Sequence, residues 1–179
     1  DLQAAAPSML ALLRLTERFS QRYQAEKVRR NAMDFSDQEH YAVTLLCGQD
    51  DEPTDLARQV SQRYQEIMVD EYQDTNEVQN AIFRAVSREG KNLFTVGDVK
   101  QSIYSFRQAM PDIFIRYKDK FPRYDREKDA YPASIVLDRN FRSRKTVTES
   151  VNFVFMQLMS RTCGGINYVG DEKLAAGAQ

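Results

Sequence analysis

The stretch from Ile67 to Asn76 reads IMVDEYQDTN, and its apolar first residues end at two adjacent carboxylates. A short, wholly apolar run of this kind predicts a β-strand that is buried on both faces, as in parallel sheets. Similar runs follow along the chain at Leu93–Val96 and Ser134–Leu137. The sequence therefore predicts three strands of a mainly parallel sheet.

Helical patterns separate these strands. Apolar residues with the spacing of an amphipathic helix follow the first strand as far as Gly90, and the pattern returns after Pro111 and after Val147. Strands that alternate with helices predict an α/β domain. Ligands of such sheets bind beyond the carboxyl ends of the strands. The three runs end there in polar residues, namely Asp70-Glu71, Gly97-Asp98 and Asp138-Arg139-Asn140.

Three further helices are expected before the first strand. Helical spacing runs from Ser8 to about Arg30, and Ser36 and Glu39 have the spacing of a capping box at the start of the next helix. Pro53 suits the first position of a third helix. Within the quoted stretch, Asp74 is expected to cap or orient the helix that follows.

Composition limits the class of protein. Of the 179 residues, 42% are apolar and 28% are charged, which is typical of globular chains. No apolar run reaches the roughly 18 residues of a membrane span, and two cysteines favour a reducing compartment. The formal net charge of -1 indicates that any nucleic-acid binding must be local. Because the chain opens on Asp1 without a methionine, we expect a fragment of a longer protein.

Asp70 and Glu71 are the first candidates for chemistry. An aspartate at a strand end can hold Mg²⁺, usually through water, and a neighbouring glutamate can orient or deprotonate a water that attacks a γ-phosphate. An acidic pair after a strand is also common as a solvated turn. By itself, the pair leaves both interpretations open.

The second candidate stretch, Gly97–Ala109, reads GDVKQSIYSFRQA. It places an amide, two aromatic rings and a cation close together, namely Gln101, Tyr104, Phe106 and Arg107. Aromatic rings beside a cation suit single-stranded nucleic acid, because bases stack on rings and phosphates pair with cations. The two aromatic residues would equally suit a hydrophobic core.

The third candidate stretch, Leu137–Ser143, reads LDRNFRS. The guanidinium of Arg142 can pair with a phosphate, and the ring of Phe141 can stack on a purine. The same run also fits a helix N-cap at Ser143.

In this order and spacing, the three stretches resemble the Walker B motif, motif III and motif IV of the UvrD/Rep-type superfamily 1 DNA helicases. The runs Met33–Asp37, Gly165–Tyr168 and Leu174–Gly177 narrow the resemblance to the AddA family, the helicase subunits of AddAB-type helicase-nucleases. The resemblance covers about residues 31 to 179.

The resemblance implies roles for individual residues. Asp70 would hold Mg²⁺, Glu71 would act as the catalytic base, and Gln101 and Arg142 would contact the γ-phosphate of ATP. It further implies nucleotide contacts for Gln73 and Phe141, and DNA contacts for Tyr104, Phe106 and Arg107.

The implied fold is an α/β, three-layer RecA-like P-loop NTPase domain with a parallel sheet. It is expected to be incomplete, because no Gly-x-x-x-x-Gly-Lys-[Ser/Thr] phosphate loop occurs in the chain. Residues 1–32 are expected to be a helix that returns from an inserted subdomain. Residues 33–138 are expected to be the C-terminal part of a first motor domain, and residues 139–179 the start of a second.

The implied parent protein is a bacterial cytoplasmic, ATP-dependent 3′→5′ helicase that acts in double-strand break repair. Its cofactors would be ATP and Mg²⁺. Its partners would be single- and double-stranded DNA and an AddB-like nuclease subunit, with no membrane. The fragment by itself is expected to be inactive. Two alternatives stay open: a non-hydrolysing DNA- or protein-binding module derived from a motor domain, and a metal-dependent nuclease that uses Asp70, Glu71 and Asp98.

Overall fold

The computed structural model describes residues 2–49, 52–103 and 108–177. By its internal contacts the chain divides into two compact units, Asp1–Ala42 and Val43–Gln179. The α-helices are α1 (Leu2–Arg30), α2 (Phe35–Leu46), α3 (Asp55–Ser61), α4 (Glu77–Val86), α5 (Pro111–Lys120) and α6 (Lys145–Leu158). The β-strands are β1 (Ile67–Val69), β2 (Leu93–Thr95), β3 (Arg139–Asn140) and β4 (Ala175–Ala176). No helix in the described ranges is long and apolar enough to cross a membrane.

The first unit contains α1 and the start of α2. Helix α1 begins at Leu2, before the predicted start at Ser8, because the alanines that precede Pro7 are strong helix formers. The predicted capping box of Ser36 and Glu39 is wrong. Instead, Asp34 Oδ1 accepts a hydrogen bond from the Asp37 amide (2.8 Å), and Asp37 Oδ2 accepts one from the Asp34 amide (3.0 Å). Two carboxylates with the same spacing satisfy the free amides better than a hydroxyl does.

Helix α3 opens the second unit, and its start differs from the prediction. Thr54, and not Pro53, governs the start, because Thr54 Oγ1 accepts a hydrogen bond from the Ala57 amide. Pro53 lies outside the helix, where it forms an isolated antiparallel bridge with Cys47. The helix ends at Ser61.

Strands β1 and β2 form a parallel pair, as predicted, with Val69 opposite Thr95. The expectation that both faces of these strands are buried is wrong. Met68 is 70% exposed and Phe94, its neighbour across the pair, is 54% exposed. Alternate side chains of a strand point to opposite faces, and in the described ranges only two strands join this sheet, so one of its faces stays open.

The predicted third strand is also wrong. Ile135 and Leu137 lie 63% and 83% exposed, and Ser134 contributes only an isolated bridge to Arg123. An apolar run forms a strand only beside a partner strand. The pairing that does form uses the next residues of the chain, since Arg139–Asn140 runs parallel to Ala175–Ala176.

The core of the second unit centres on Tyr72, which is fully buried. Three aromatic rings surround it at centroid distances of 5.9 to 6.2 Å, namely Phe83, Phe114 and Tyr117. The Tyr72 hydroxyl donates a hydrogen bond to Asn80 Oδ1 (2.9 Å), which also accepts one from the Tyr117 hydroxyl (3.1 Å). These contacts anchor the turn after β1 to helices α4 and α5.

Candidate functional site

The segments that follow β1 and β2 lie side by side. The Val96 amide donates to the Val69 carbonyl (2.9 Å), and the Tyr72 amide donates back to the Val96 carbonyl (2.8 Å). The parallel pairing therefore continues past the ends of both strands. As a result, the polar residues after β1 and those after β2 meet at one edge, as the sequence predicts.

Glu71 has an unusual backbone conformation. Its φ of 49° and ψ of 42° lie in the left-handed region, which few residues other than glycine occupy. Hydrogen bonds hold it there: the Glu71 amide donates to Asp70 Oδ1 (2.9 Å), and the Glu71 carbonyl accepts from the Asp74 amide (2.9 Å). Both carboxylates stay exposed to solvent. Strained backbone of this kind concentrates at functional sites.

Gln73 lies beneath this turn and is 1% exposed. Its Nε2 donates to Glu71 Oε2 (2.6 Å), and its Oε1 accepts from the Asp98 amide (2.9 Å). Gly97 makes room for the amide, because a Cβ at that position would lie 2.8 Å from Gln73 Oε1. The amide thus joins the segment after β1 to the segment after β2.

Asp98 organises the second segment. Its Oδ1 accepts from the Lys100 amide (3.1 Å) and pairs with Lys100 Nζ (2.7 Å), while its Oδ2 accepts from Gln101 Nε2 (3.0 Å). Burial alone would raise the pKa of Asp98, but the hydrogen bonds from Lys100 and Gln101 outweigh it and hold the pKa below its usual value. The Asp98 side chain is therefore a carboxylate at neutral pH. Gln101, which donates to this carboxylate, is exposed to solvent.

Phe141 and Arg142 follow β3 and are both exposed. Asn140 Oδ1 shapes their loop by accepting from the amides of Arg142 (3.0 Å) and Ser143 (2.7 Å). The ring of Phe141 covers Gly177, where any Cβ would overlap it. In the part of the chain that the structure describes, no hydrogen bond or ion pair joins Phe141 or Arg142 to the residues after β1 and β2, namely Asp70, Glu71, Gln73, Asp98 and Gln101. The alternative of an N-cap at Ser143 is wrong, since Arg144 occupies that position and makes no side-chain capping bond.

Other predicted residues have different outcomes. Tyr104, Phe106 and Arg107 lie outside the described residues, so their predicted DNA contacts stay predictions.

Asp74 does not cap α4: Asn76 does, in a capping box with Gln79. Oδ1 of Asp74 is buried without a hydrogen-bond partner. Among the described residues, no group of three or more His, Cys, Asp or Glu side chains has the arrangement of a metal cage.

Sequence reasoning missed two residues that shape the site. Lys100 lies within the second candidate stretch but carries no motif signal of its own, and Glu172 is 72 residues away. They meet in an ion pair (3.2 Å) that links the segment after β2 to the Gly170–Glu172 turn. No pattern in the sequence indicates this pairing, because contacts between distant segments leave no local periodicity.

Comparisons with known proteins show which family the chain is similar to. The model of the UvrD/REP helicase N-terminal domain matches residues 3–122. The ATP-dependent helicase/nuclease A-subunit of Clostridium acetobutylicum is 45% identical over 99% of the chain. Proteins of the same name from Desulfitobacterium hafniense and Staphylococcus aureus are 46% and 40% identical, over 94% and 99% of the chain. The chain spans only 12% to 15% of the length of these relatives.

Proposed function

The chain belongs to the UvrD/REP helicase N-terminal domain family, and from this we propose that it forms part of the ATP-driven motor of a DNA helicase subunit. In this proposal the subunit is of the AddA type, translocates 3′→5′ and acts in double-strand break repair with an AddB-like nuclease subunit. Residues 33–138 belong to a first RecA-like motor domain and residues 139–179 begin a second, with residues 1–32 returning from an inserted subdomain.

One observation carries the proposal. Asp70, Glu71 and Gln101 lie beyond the adjoining carboxyl ends of two parallel strands, and Gln73 and Asp98 join Glu71 to Gln101. Ligands of α/β sheets bind at this edge. In our proposal Glu71 takes the proton of the attacking water, and Gln101 and Arg142 contact the γ-phosphate of ATP. Phe141 lines the nucleotide, and Tyr104, Phe106 and Arg107 contact DNA. The nucleotide contact that the resemblance implies for Gln73 is not part of this proposal, because Gln73 is 1% exposed and both polar atoms of its amide bond within the chain.

The residues at this edge fit Mg²⁺. Asp70 presents an exposed carboxylate at the end of β1, and Mg²⁺ in nucleotide sites usually takes one or two protein carboxylates together with phosphate oxygens and water. Asp70 would hold the ion, which supplies neutralisation of phosphate charge when bound. Because the chain contains no phosphate-loop motif, we propose that its residues form one half of the ATP site and that the isolated chain does not hydrolyse ATP.

The substitution Glu71→Gln tests the proposal in the longer helicase subunit that contains this chain. It removes the base and keeps the shape of the side chain, so DNA-stimulated ATP hydrolysis should fall about 100- to 10,000-fold. Nucleotide binding, measured with a fluorescent ATP analogue, should change little. Glu66→Gln is the matched control, because Glu66 is exposed and precedes β1; it should hydrolyse ATP like the unsubstituted subunit.

Retained hydrolysis in Glu71→Gln, or an equal loss in Glu66→Gln, would contradict the assignment of Glu71. An unsubstituted subunit that folds and binds DNA but never hydrolyses ATP would favour the non-hydrolysing binding module instead.

A further inference from the structure

We propose that Gln73 is a positioning residue that fixes the Glu71 carboxylate and ties it to Gln101. The inference rests on the proposed function, since it assigns to Gln73 a task in the hydrolysis that Glu71 is proposed to carry out. It differs from a direct contact of Gln73 with nucleotide, because both polar atoms of the amide already have partners within the chain.

Burial makes the amide a fixed donor. Gln73 is 1% exposed and lies in a 3-10 helix between Tyr72, which is fully buried, and Asp74. A buried amide that loses a partner is left unsatisfied, which is costly. Gln73 Nε2 is therefore held against Glu71 Oε2 at 2.6 Å instead of exchanging with water.

Glu71 needs this support because little else constrains its side chain. The residue is exposed, and the hydrogen bonds that hold its left-handed backbone are made by its main-chain amide and carbonyl, not by its carboxylate. Glu71 Oε2 accepts a hydrogen bond from Gln73 Nε2, and this bond fixes the carboxylate. Because Glu71 as a whole is exposed, an attacking water would have access to its carboxylate.

The same amide extends the link to the second strand end. Gln73 Oε1 accepts from the Asp98 amide (2.9 Å), and Asp98 Oδ2 accepts from Gln101 Nε2 (3.0 Å). The proposed base and the proposed γ-phosphate contact are thus joined by one continuous path, Glu71–Gln73–Asp98–Gln101. A displacement of either end changes the hydrogen-bond geometry along this path.

Gly97 supports the same interpretation from the other side of the amide. A Cβ there would lie 2.8 Å from Gln73 Oε1 and 3.2 Å from the Gln73 backbone nitrogen. The close approach of the two strand-end segments therefore requires glycine at this position. Gly97→Ala crowds Gln73, and also the Phe114 ring at 3.2 Å, without changing any polar group, which makes it a second variant.

The experiment introduces Gln73→Met into the full helicase subunit. This substitution keeps the length of the side chain and removes its donor and acceptor. We expect the kcat of ATP hydrolysis to fall about 10- to 100-fold through misplacement of the base. The dissociation constant for a fluorescent ATP analogue should stay within about twofold, since Gln73 itself is buried and does not reach the nucleotide. Gly97→Ala should show the same division between kcat and binding.

A double-substitution cycle separates positioning from a merely structural role. In a helicase that already carries Glu71→Gln, adding Gln73→Met should cause no further loss of hydrolysis, because residues that act as a unit are non-additive. Asn80→Leu is the stability control: Asn80 is also a buried amide, but it bonds to the two tyrosine hydroxyls and not to the path. Asn80→Leu should lower the melting temperature, and at temperatures where the variant stays folded its kcat should be unchanged.

If the unsubstituted subunit hydrolyses ATP, any of three results would overturn the inference. The first is a normal kcat in Gln73→Met, and the second is a kcat loss from Gln73→Met that is as large in the Glu71→Gln background as without it. The third is a kcat loss in Asn80→Leu as large as that in Gln73→Met. An unsubstituted subunit without hydrolysis would instead overturn the proposed function itself. The two failures are therefore distinguishable.

Discussion

Lys100 and Glu172 are 72 residues apart in sequence and form an ion pair of 3.2 Å with both side chains largely buried, at 17% and 15% exposure. Lys100 also pairs with Asp98 (2.7 Å), and Glu172 also pairs with Lys118. The charges alternate along this chain of four residues. It joins the segment after β2, where Gln101 lies, to the turn that precedes β4.

Glu172→Gln should lower the free energy of unfolding by about 2 kcal/mol. The substitution leaves Lys118 without its ion-pair partner and Lys100 with Asp98 alone, and unpaired buried charge is costly, although partial exposure reduces the effect. Urea denaturation of the chain measures the change. Glu149→Gln is the matched control, because its ion pair with Lys145 (3.6 Å) is exposed and should contribute less than about 1 kcal/mol. Equal effects of the two substitutions would contradict the prediction.

Asp98 should make stability depend on pH in the acid range. Burial raises the pKa of Asp98, but the hydrogen bonds from Lys100 and Gln101 lower it by more. The folded pKa therefore lies below the ordinary value of 3.8. A group with a lowered folded pKa stabilises the fold above its unfolded pKa, and this stabilisation is lost as pH falls through the folded pKa. Asp98→Asn should therefore differ most from the unsubstituted chain at pH 7.

The difference between the two chains should shrink below about pH 4, where Asp98 of the unfolded chain takes up a proton. Urea denaturation at pH 7, 4 and 3 measures it. A difference that stays constant across this range would mean that Asp98 contributes through shape rather than charge.

Asn80→Leu should destabilise the second unit by about 2 kcal/mol. Asn80 Oδ1 accepts from the hydroxyls of Tyr72 (2.9 Å) and Tyr117 (3.1 Å), and the substitution leaves both donors without this acceptor. Tyr72→Phe removes one donor and leaves Asn80 bonded to Tyr117, so its cost should be smaller, about 1 kcal/mol. Thermal and urea denaturation measure both variants, and the reverse order of effects would contradict the prediction.

Asp34 should titrate far below an ordinary aspartate. The hydrogen bond from the Asp37 amide, followed by that from Lys27, lowers its pKa to about 2. The stabilisation from this carboxylate is present above the ordinary value of 3.8 and is lost as pH falls from there toward 2. A carbon-detected NMR titration of the aspartates measures the pKa directly.

Lys27→Met supplies the comparison for this titration, since it removes the ammonium that contacts both Asp34 and Asp37. The Asp34 pKa should rise toward its ordinary value without reaching it, because the Asp37 amide still donates. An Asp34 that titrates near 3.8 in the unsubstituted chain would show that this capping pair does not form in solution.

Much of the fold is predictable from local patterns. Helices α4, α5 and α6 follow apolar spacing, and β1 and β2 follow short apolar runs. The two errors at helix starts arise where neighbouring residues both suit the start of a helix. Asp34 and not Ser36 caps α2, and Thr54 caps α3 with Pro53 outside the helix, because the cap depends on which side chain reaches a free amide.

The sequence by itself determined which chemical groups the candidate site contains and that Asp70-Glu71 and Gly97-Asp98 each follow a strand, since strand type and chain order are local properties. It did not determine that the strand at residues 134–137 would fail to form, because a strand requires a partner from elsewhere in the chain. Only the tertiary structure decided that Gln73 is buried between Glu71 and Asp98, and that Lys100 meets Glu172. The direction of a side chain depends on what packs against it, and those neighbours come from segments that no local pattern connects.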